Sequence, residues 1–495
     1  ERREWAEQLA RSLVDPTVEA DDALAECVGG HLELAGPITV ERLVADDALP
    51  TGSVRGAPLT EARARSGLAR LEAAGSAIAL PDGRWCARHL LVRLHAASRK
   101  RRRQRVEPAS ISDYVRFLAC WQHVAAGTQA EGRSGLLDVI HQLQGIEVAA
   151  GEWERHVLPA RLVGYDPHWL DELCLSGEVA WGRLTPRPEK PAPTDADADG
   201  GTTPPTRRGS STPSPATPLA LVTRADLAWT LAAVRADREL VEPAHGAAAD
   251  VLALLRAKGA CFRSELAPAT GRLPDDVDDG LWDLVARGFV TADAFAAVRS
   301  LLAARTRARF RSGPSRTTVR RSALRRQRST VGSGLGEGRW SLVPDPDIAG
   351  AAGLAGPPEE ELAEAVAWQL LDRWGVVCWE VWGRESYRVP WREVIRALRR
   401  LEARGQALGG RFVAGISGEQ YATPEAAALL GEVRRDASKG AEVTVAGADP
   451  LNLTGGLLGG TRVPSARHRE VRYRAGVAER PEESFSRPTL SRPSP

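Results

Sequence analysis

Residues 165–181 read YDPHWLDELCLSGEVAW. Asp171 and Glu172 are neighbours, Cys174 follows closely, and Trp169 and Trp181 bracket the group. Paired carboxylates beside a thiol have the composition of an active site. The same letters also describe a helix ending and turning into a strand, and the spacing favours that reading. Leu170 and Leu173 lie on one helix face, which leaves Asp171 and Glu172 on the exposed one. Gly177 stands four residues further on, where a helix stops in the left-handed conformation. Val179 and Trp181 alternate beyond it as a strand does. Cys174 is then expected to pack rather than react, and the two tryptophans to pack one module on another.

The same phrase recurs three more times. Leu68-x-x-Leu71-x-x-x-Gly75 precedes Ala77 and Ile78, Leu281-x-x-Leu284-x-x-x-Gly288 precedes Val290, and Leu398-x-x-Leu401-x-x-x-Gly405 precedes Ala407. Each copy predicts a helix, a glycine stop and a strand. The third copy shows the whole unit. Residues 249–258 are helical in period, Gly259 stops them, and Cys261–Phe262 is a short strand. A second helix covers 263–269, and Pro274 opens a third at a first-turn position that proline favours. Helix, short strand, helix, helix, wing is a winged helix-turn-helix. The first and fourth copies fit it, with 38–47 as the first copy's second helix and 410–415 and 419–423 as the fourth copy's wing strands; the second is less regular. The expected fold class is mainly α with β (α+β), as tandem winged-helix modules.

Composition sets the outer limits. The chain has 495 residues, 43% hydrophobic and 26% charged, as soluble globular proteins have. No apolar run approaches the ~20 residues of a membrane helix, and the charged opening stretch is no signal peptide. Six cysteines without a C-x-x-C predict neither zinc nor a disulfide framework, and a cytoplasmic setting follows. No methionine occurs, even at position 1, so the chain is expected to be an internal piece of a longer protein. Lysine occurs only at 100, 190, 258 and 439, so almost all positive charge is arginine. Two stretches read as disordered linkers: 186–217, rich in Pro, Thr, Asp and Ser, and the arginine-rich 306–337. The expected partition is winged helices over 1–98, 99–185, 218–305 and 338–440, with strands over 441–478 and a disordered tail over 479–495.

A winged helix usually presents its third helix to the DNA major groove. In the fourth module that helix, 391–404, carries Arg392, Arg396, Arg399, Arg400 and Arg404. In the first, 61–70 carries Arg63, Arg65 and Arg70. RKRRRQR at 99–105 adds Arg101, Arg102 and Arg103 as phosphate-attracting charge. The third module's helix opens with DDVDD, which repels phosphate. DNA contact is therefore expected of the first and fourth modules, and packing of the second and third. A solvated face with arginines offset by Glu393 and Glu402 is the alternative for the fourth.

Several long strings resemble the large helicase-related (Lhr) proteins of bacteria. They are 90–124, 158–184, 255–302, 390–426 and ADPLNLTGGLLGGTRVP at 448–464. The resemblance runs over nearly the whole chain. It implies an ATP-dependent DNA helicase, acting in DNA repair, whose two motor domains lie N-terminal to this region. It also implies a small β-barrel-like module after the winged helices, to which 338–344 and 441–475 would contribute. The chain has no G-x-x-x-x-G-K-[ST] and no Asp-Glu-x-His box, so ATP and Mg belong to the motor and no cofactor or metal is expected here. The partners implied are DNA, single-stranded or with single-stranded regions, and the motor in cis, with a homo-oligomer as a further option. The bacterial nucleoid is the expected location.

One motif bears on chemistry. Gln142-Leu143-Gln144 is similar to the Gln–aliphatic–Gln motif of winged-helix DNA glycosylases, which flip a base from the stack. An amide can orient a water but is no full general base. Lhr proteins often carry Tyr-Arg-Asp-Gly near the end, whereas here Tyr473-Arg474 precedes Ala475-Gly476. Three readings stand: a DNA-binding accessory region of an Lhr-type helicase, a glycosylase with Gln142 and Gln144 in its site, and an oligomerisation scaffold.

Overall fold

The computed structural model describes residues 20–45, 59–105, 107–185, 214–236, 240–311, 338–343, 358–436, 442–465 and 469–479. The disorder expected at 186–213, 312–337 and 480–495 lies outside the described residues. The chain divides into two compact units, 1–105 and 106–495.

The first unit is one winged helix. Helices α1 (Ala20–Ala35), α2 (Val40–Ala45) and α3 (Glu61–Ala73) precede the antiparallel strands β1 (Ala77–Ala79) and β2 (Trp85–Ala87), and Ile38 bridges to Trp85 as the first strand of the wing. Leu24, Val28, Leu43 and Leu68 fill its core. Helix α4 (Arg88–Arg105) then runs unbroken across the boundary expected at 98.

The second unit opens with α5 (Ile111–Trp121), β3 (Ala130–Glu131) and α6 (Gly132–Leu143). An insertion follows: β4 (Val148–Ala149), a π-helical turn at Trp153–Val157, α7 (Leu158–Arg161) and β5 (Leu162–Val163), which pairs in parallel with β3. This insertion is what made the second copy irregular in sequence. Helix α8 (Pro167–Leu175) and strand β6 (Val179–Gly182) complete the phrase quoted first.

Strand β6 pairs antiparallel with β7 (Pro218–Thr223), which also pairs with β4, and α9 (Leu227–Arg235) follows. The stretch read as a linker between two domains therefore interrupts one wing: the strands on its two sides form a single sheet. The third module repeats this. After α10 (Ala247–Lys258), β8 (Cys261–Phe262), α11 (Arg263–Thr270), α12 (Pro274–Arg287), β9 (Val290–Ala292) and α13 (Ala296–Arg311), strand β10 (Arg339–Leu342) inserts between β8 and β9. Residues 306–311 are thus helical. Strand β10, expected in a barrel at the start of the fourth module, belongs to the third module's wing, where its Trp340 is fully buried.

The fourth module has α14 (Glu359–Trp374), β11 (Val376–Val377), a four-residue α15 (Trp379–Trp382), α16 (Trp391–Ala403), β12 (Leu408–Gly410), β13 (Gln420–Ala422) and α17 (Pro424–Arg435). Strands β14 (Glu442–Ala446), β15 (Glu470–Arg474) and β16 (Val477–Ala478) form an antiparallel sheet. Among the described residues the barrel does not close. The fold is mixed α+β.

The repeated phrase has one geometry. Gly75, Gly177, Gly288 and Gly405 have φ of 73°, 79°, 86° and 77°, the left-handed region that glycine occupies without strain. In each case the next residue's N–H reaches back five residues to the second leucine of the phrase: Ser76 to Leu71 (2.8 Å), Glu178 to Leu173 (3.0 Å), Phe289 to Leu284 (2.9 Å) and Gln406 to Leu401 (2.9 Å). These are Schellman stops, which satisfy the last helical carbonyls while turning the chain into the wing.

Candidate nucleic-acid interface and the glutamine cluster

Helix α16 buries Val394, Ala397, Leu398 and Leu401 and turns its arginines outward. None of the five stands alone. Arg392 and Arg396 share Glu393, at 3.2 and 2.9 Å. Arg399 meets Glu419 beside β13 at 2.9 Å. Arg400 and Arg404 share Glu364 of α14. In these pairs five guanidiniums therefore share three carboxylates. The offset expected from Glu393 is present, and Glu402 accepts from the Gly409 N–H at 3.3 Å. Exposed pairs of this kind are worth about 0–1 kcal/mol each, so a phosphate can displace them at small cost.

The first module's helix is more neutral. Arg65 pairs with Glu61 at 2.8 Å and Arg70 with Asp22, while Arg63 is half-buried and its backbone N–H takes the Thr60 cap. In α4, Arg101 is exposed and Arg103 partly buried; the Arg102 side chain lies outside the described residues.

The opening stretch shows packing. Leu170, Leu173 and Cys174 are buried. Burial pushes the Cys174 thiol up to about 12, so it is no nucleophile at neutral pH. Trp181 packs edge-on against Phe295 and Trp340 of the third module. Asp171 departs from the expected exposed face: it accepts from the Ala296 N–H at 2.8 Å and pairs with Arg299 at 2.9 Å, which fastens the start of α13.

Gln142 and Gln144, at the end of α6, join three parts of the second unit. Gln142 Nε2 donates to the carbonyls of Trp121 (2.9 Å) and Asp372 (3.1 Å), and its Oε1 is buried without a donor among the described residues. Gln144 is fully buried. Its Nε2 donates to Asp226 Oδ2 and Gln369 Oε1, both at 2.8 Å, while its Oε1 accepts from Thr223 N (3.1 Å) and lies 3.0 Å from Thr223 Oγ1. Arg373 of α14 donates to the carbonyls of Gln142 and Gln144.

Asp226 is a part-exposed carboxylate of this cluster, with its side chain 28% exposed. It accepts from Gln144, from Thr223 Oγ1 at 2.7 Å and from Trp229 Nε1 at 2.9 Å, and His141 Nε2 lies 3.6 Å away. Burial pushes its carboxyl up, but the hydrogen bonds from Gln144, Trp229 and Thr223 and the His141 charge outweigh it and hold the group below its ordinary value. Nearby Asp372 is pushed up by burial. Two carboxyls driven apart around a histidine can divide acid and base roles. Sequence reasoning missed Asp226, Asp372 and His141. The contacts span 82 residues or more from Gln144 to Asp226 and Gln369, and the boundary drawn at 186–217 had put Asp226 in another domain. The short continuous apolar run in PLALVT ahead of Asp226, as a fully buried strand has, was the available signal.

Winged helices in series, one with a basic and outward-facing third helix, define a class of modular nucleic-acid-binding protein. Two stretches, 109–195 and 356–442, match family models described as the winged-helix domain of large helicase-related protein. The chain belongs to the large helicase-related (Lhr) family. It is 30% identical over 457 residues to the "Lhr helicase/ probable uracil glycosylase" of Mycolicibacterium smegmatis, covering 90% of this chain and 27% of that one. It is 26% identical over 425 residues to the "Lhr helicase/uracil glycosylase" of Escherichia coli, covering 79% of this chain and 25% of that one. The chain thus spans about a quarter of the length of these relatives. Among the described residues no helix is long and apolar enough to cross a membrane, and no cluster of possible metal ligands occurs.

Proposed function

We propose that this region is a DNA-gripping accessory part of an Lhr-type helicase, working in DNA repair beside a motor that binds ATP and Mg elsewhere in a longer protein. The observation that carries it is α16: five outward arginines held by three exchangeable carboxylates on a winged helix's third helix. Replacing Arg396, Arg399 and Arg400 together by Gln should weaken DNA binding. It should also reduce the slope of log K against log[salt] by up to ~0.9 for each phosphate that is no longer neutralised. Equal affinity and slope in the variant would remove α16 from the interface.

A second reading is base excision, the other activity in the names of both relatives. It is favoured by the Gln144-held, part-exposed Asp226 beside His141. An ionised carboxylate there could stabilise positive charge developing on a sugar as a base departs, with water as the nucleophile and the proton passing to the base. Strands carrying one uracil, assayed for breakage after alkali, test this. Gln144→Ala alone cannot, because that side chain also ties three elements together. Asp226→Asn keeps the shape: breakage lost with the melting temperature retained supports excision, and undiminished breakage rules Asp226 out.

A further inference from the structure

The fourth module's helix-turn-helix corner carries tryptophans where a solvated turn would stand. Its second helix, α15, is four residues long and begins and ends with tryptophan, and Trp391 opens α16. The ring centroids of Trp379 and Trp382 are 4.8 Å apart and 33° from parallel, and Trp391 stands 6.0 and 5.8 Å from them. Trp382 and Trp391 lean on the core. Trp379 does not: it is 52% exposed, whereas Trp153, Trp181, Trp282, Trp340 and Trp374 are essentially fully buried. Every other tryptophan among the described residues is buried or partly buried.

Two further observations point to a ligand. On the same short helix, Trp382 Nε1 is a buried donor without an acceptor among the described residues. That group carries a desolvation cost that a partner of matching chemistry would remove. The charge around Trp391 is positive: Arg388 and Arg392 flank it in sequence and are exposed, and α16 continues with further guanidiniums. A flat π-face, an unpartnered donor and a cationic surround together match one ligand class, an unpaired nucleobase with its phosphodiester.

We propose that Trp379, backed by Trp382 and Trp391, is a stacking platform for an unpaired base of single-stranded nucleic acid. The proposal rests on the DNA-binding reading above and adds to it the strand form that this corner holds. A purely cationic interface would take duplex and single strand by their phosphates alone. Stacking requires a base free of its partner.

The test uses the full chain, a thymidine oligomer with one 2-aminopurine, and its duplex. Wild-type protein should quench the 2-aminopurine in the single strand. Trp379→Leu keeps apolar bulk and removes the π-face. It should lose the quench and about fivefold or more of single-strand affinity, as expected for one stacked base. Duplex affinity should stay unchanged, and Trp379→Phe should recover part of both signals. Quench and affinity retained in Trp379→Leu would overturn the platform while leaving the DNA-binding reading intact. Wild-type protein that binds neither probe would sink both. Dissociation of a self-associated form by Trp379→Leu, at unchanged DNA affinity, would assign the cluster to a second copy of the chain and overturn the platform. A matched thermal melt shows that each variant is folded.

Discussion

Arg161 and Asp449 form a salt bridge with essentially no solvent exposure on either side. Arg161 ends α7 in the second module, and Asp449 lies in the turn after β14. The guanidinium donates to both carboxylate oxygens, at 2.7 and 2.8 Å, and also to Val157 O (3.0 Å) and Gln122 Oε1 (3.2 Å). Asp449 in turn accepts from the Leu451 N–H at 2.8 Å. Replacing Asp449 by Ala leaves a buried cation with two neutral acceptors. Removing one partner of a buried pair costs about 3–5 kcal/mol, because the other charge stays uncompensated. A tenfold change corresponds to about 1.4 kcal/mol, so amide protection across β14 and β15 should fall by roughly a hundred- to a few thousandfold. The readout is native-state hydrogen exchange of residues 442–446 and 469–479, because one melting temperature is poorly defined for a unit of several modules. The double change Arg161→Met with Asp449→Leu should recover most of the protection, since an apolar pair of similar volume often replaces a buried ion pair at no cost. A fall of less than about fivefold (~1 kcal/mol) in Asp449→Ala, or a double variant as open as the single, would refute the assignment of this pair as the clamp.

Other consequences follow from single positions. Ala475 sits at φ 50° before Gly476 at φ 77°, a two-residue hairpin turn with both central residues left-handed, where Asn-Gly is preferred. Ala475→Asn should raise the stability of this sheet by about 1 kcal/mol, read by native-state hydrogen exchange of residues 470–478. Gly476→Ala should lower it, because a Cβ there collides with the Ser112 carbonyl. The depressed Asp226 carboxyl contributes stability that is present above its unfolded value of about 3.9 and lost as pH falls through its lower folded value. Asp226→Asn should therefore show a shallower loss of stability below about pH 4 in acid titrations followed by circular dichroism. Cys174, its thiol pushed up to about 12 and buried, should resist alkylation at pH 8 until the second unit unfolds, read by peptide mass after a short pulse of reagent.

Local signals in the sequence were strong because a helix stop depends on neighbours. Each Leu-x-x-Leu-x-x-x-Gly phrase predicted its left-handed helix stop, its core-facing leucines (Leu71 partly buried, the other seven buried) and the wing strand beyond, since glycine takes that backbone cheaply. Side chains that act at a distance were illegible. Asp171 was placed on a solvated face by its position on α8, yet it caps α13 and holds Arg299 from 128 residues away. The basic face of α16 was legible, but its pairing with Glu364 and Glu419 was not, because those carboxylates come from other elements.

The two low-complexity stretches carry the larger lesson. Composition marked them off in the sequence, and the inference drawn was that each separates two domains. Strand pairing contradicts that step: β6 finds its partner β7 across the first stretch, and β9 finds β10 across the second. A wing is the loop between two antiparallel strands, and loop closure costs only about 0.6 kcal/mol more for each doubling of length, so it is the point in a winged helix where long insertions are tolerated. Both insertions fall there, in successive modules, and the helix-turn-helix cores on either side remain whole. The same step explains why the glutamine cluster was missed. Once β7 is restored to the second module, Thr223 and Asp226 follow directly onto Gln144, and Gln369 and Arg373 of the fourth module close the group from the other side. Gln142-Leu143-Gln144 is then the joint at which the second module, the β7–α9 segment and the fourth module meet, and any chemistry at Asp226 depends on that joint holding.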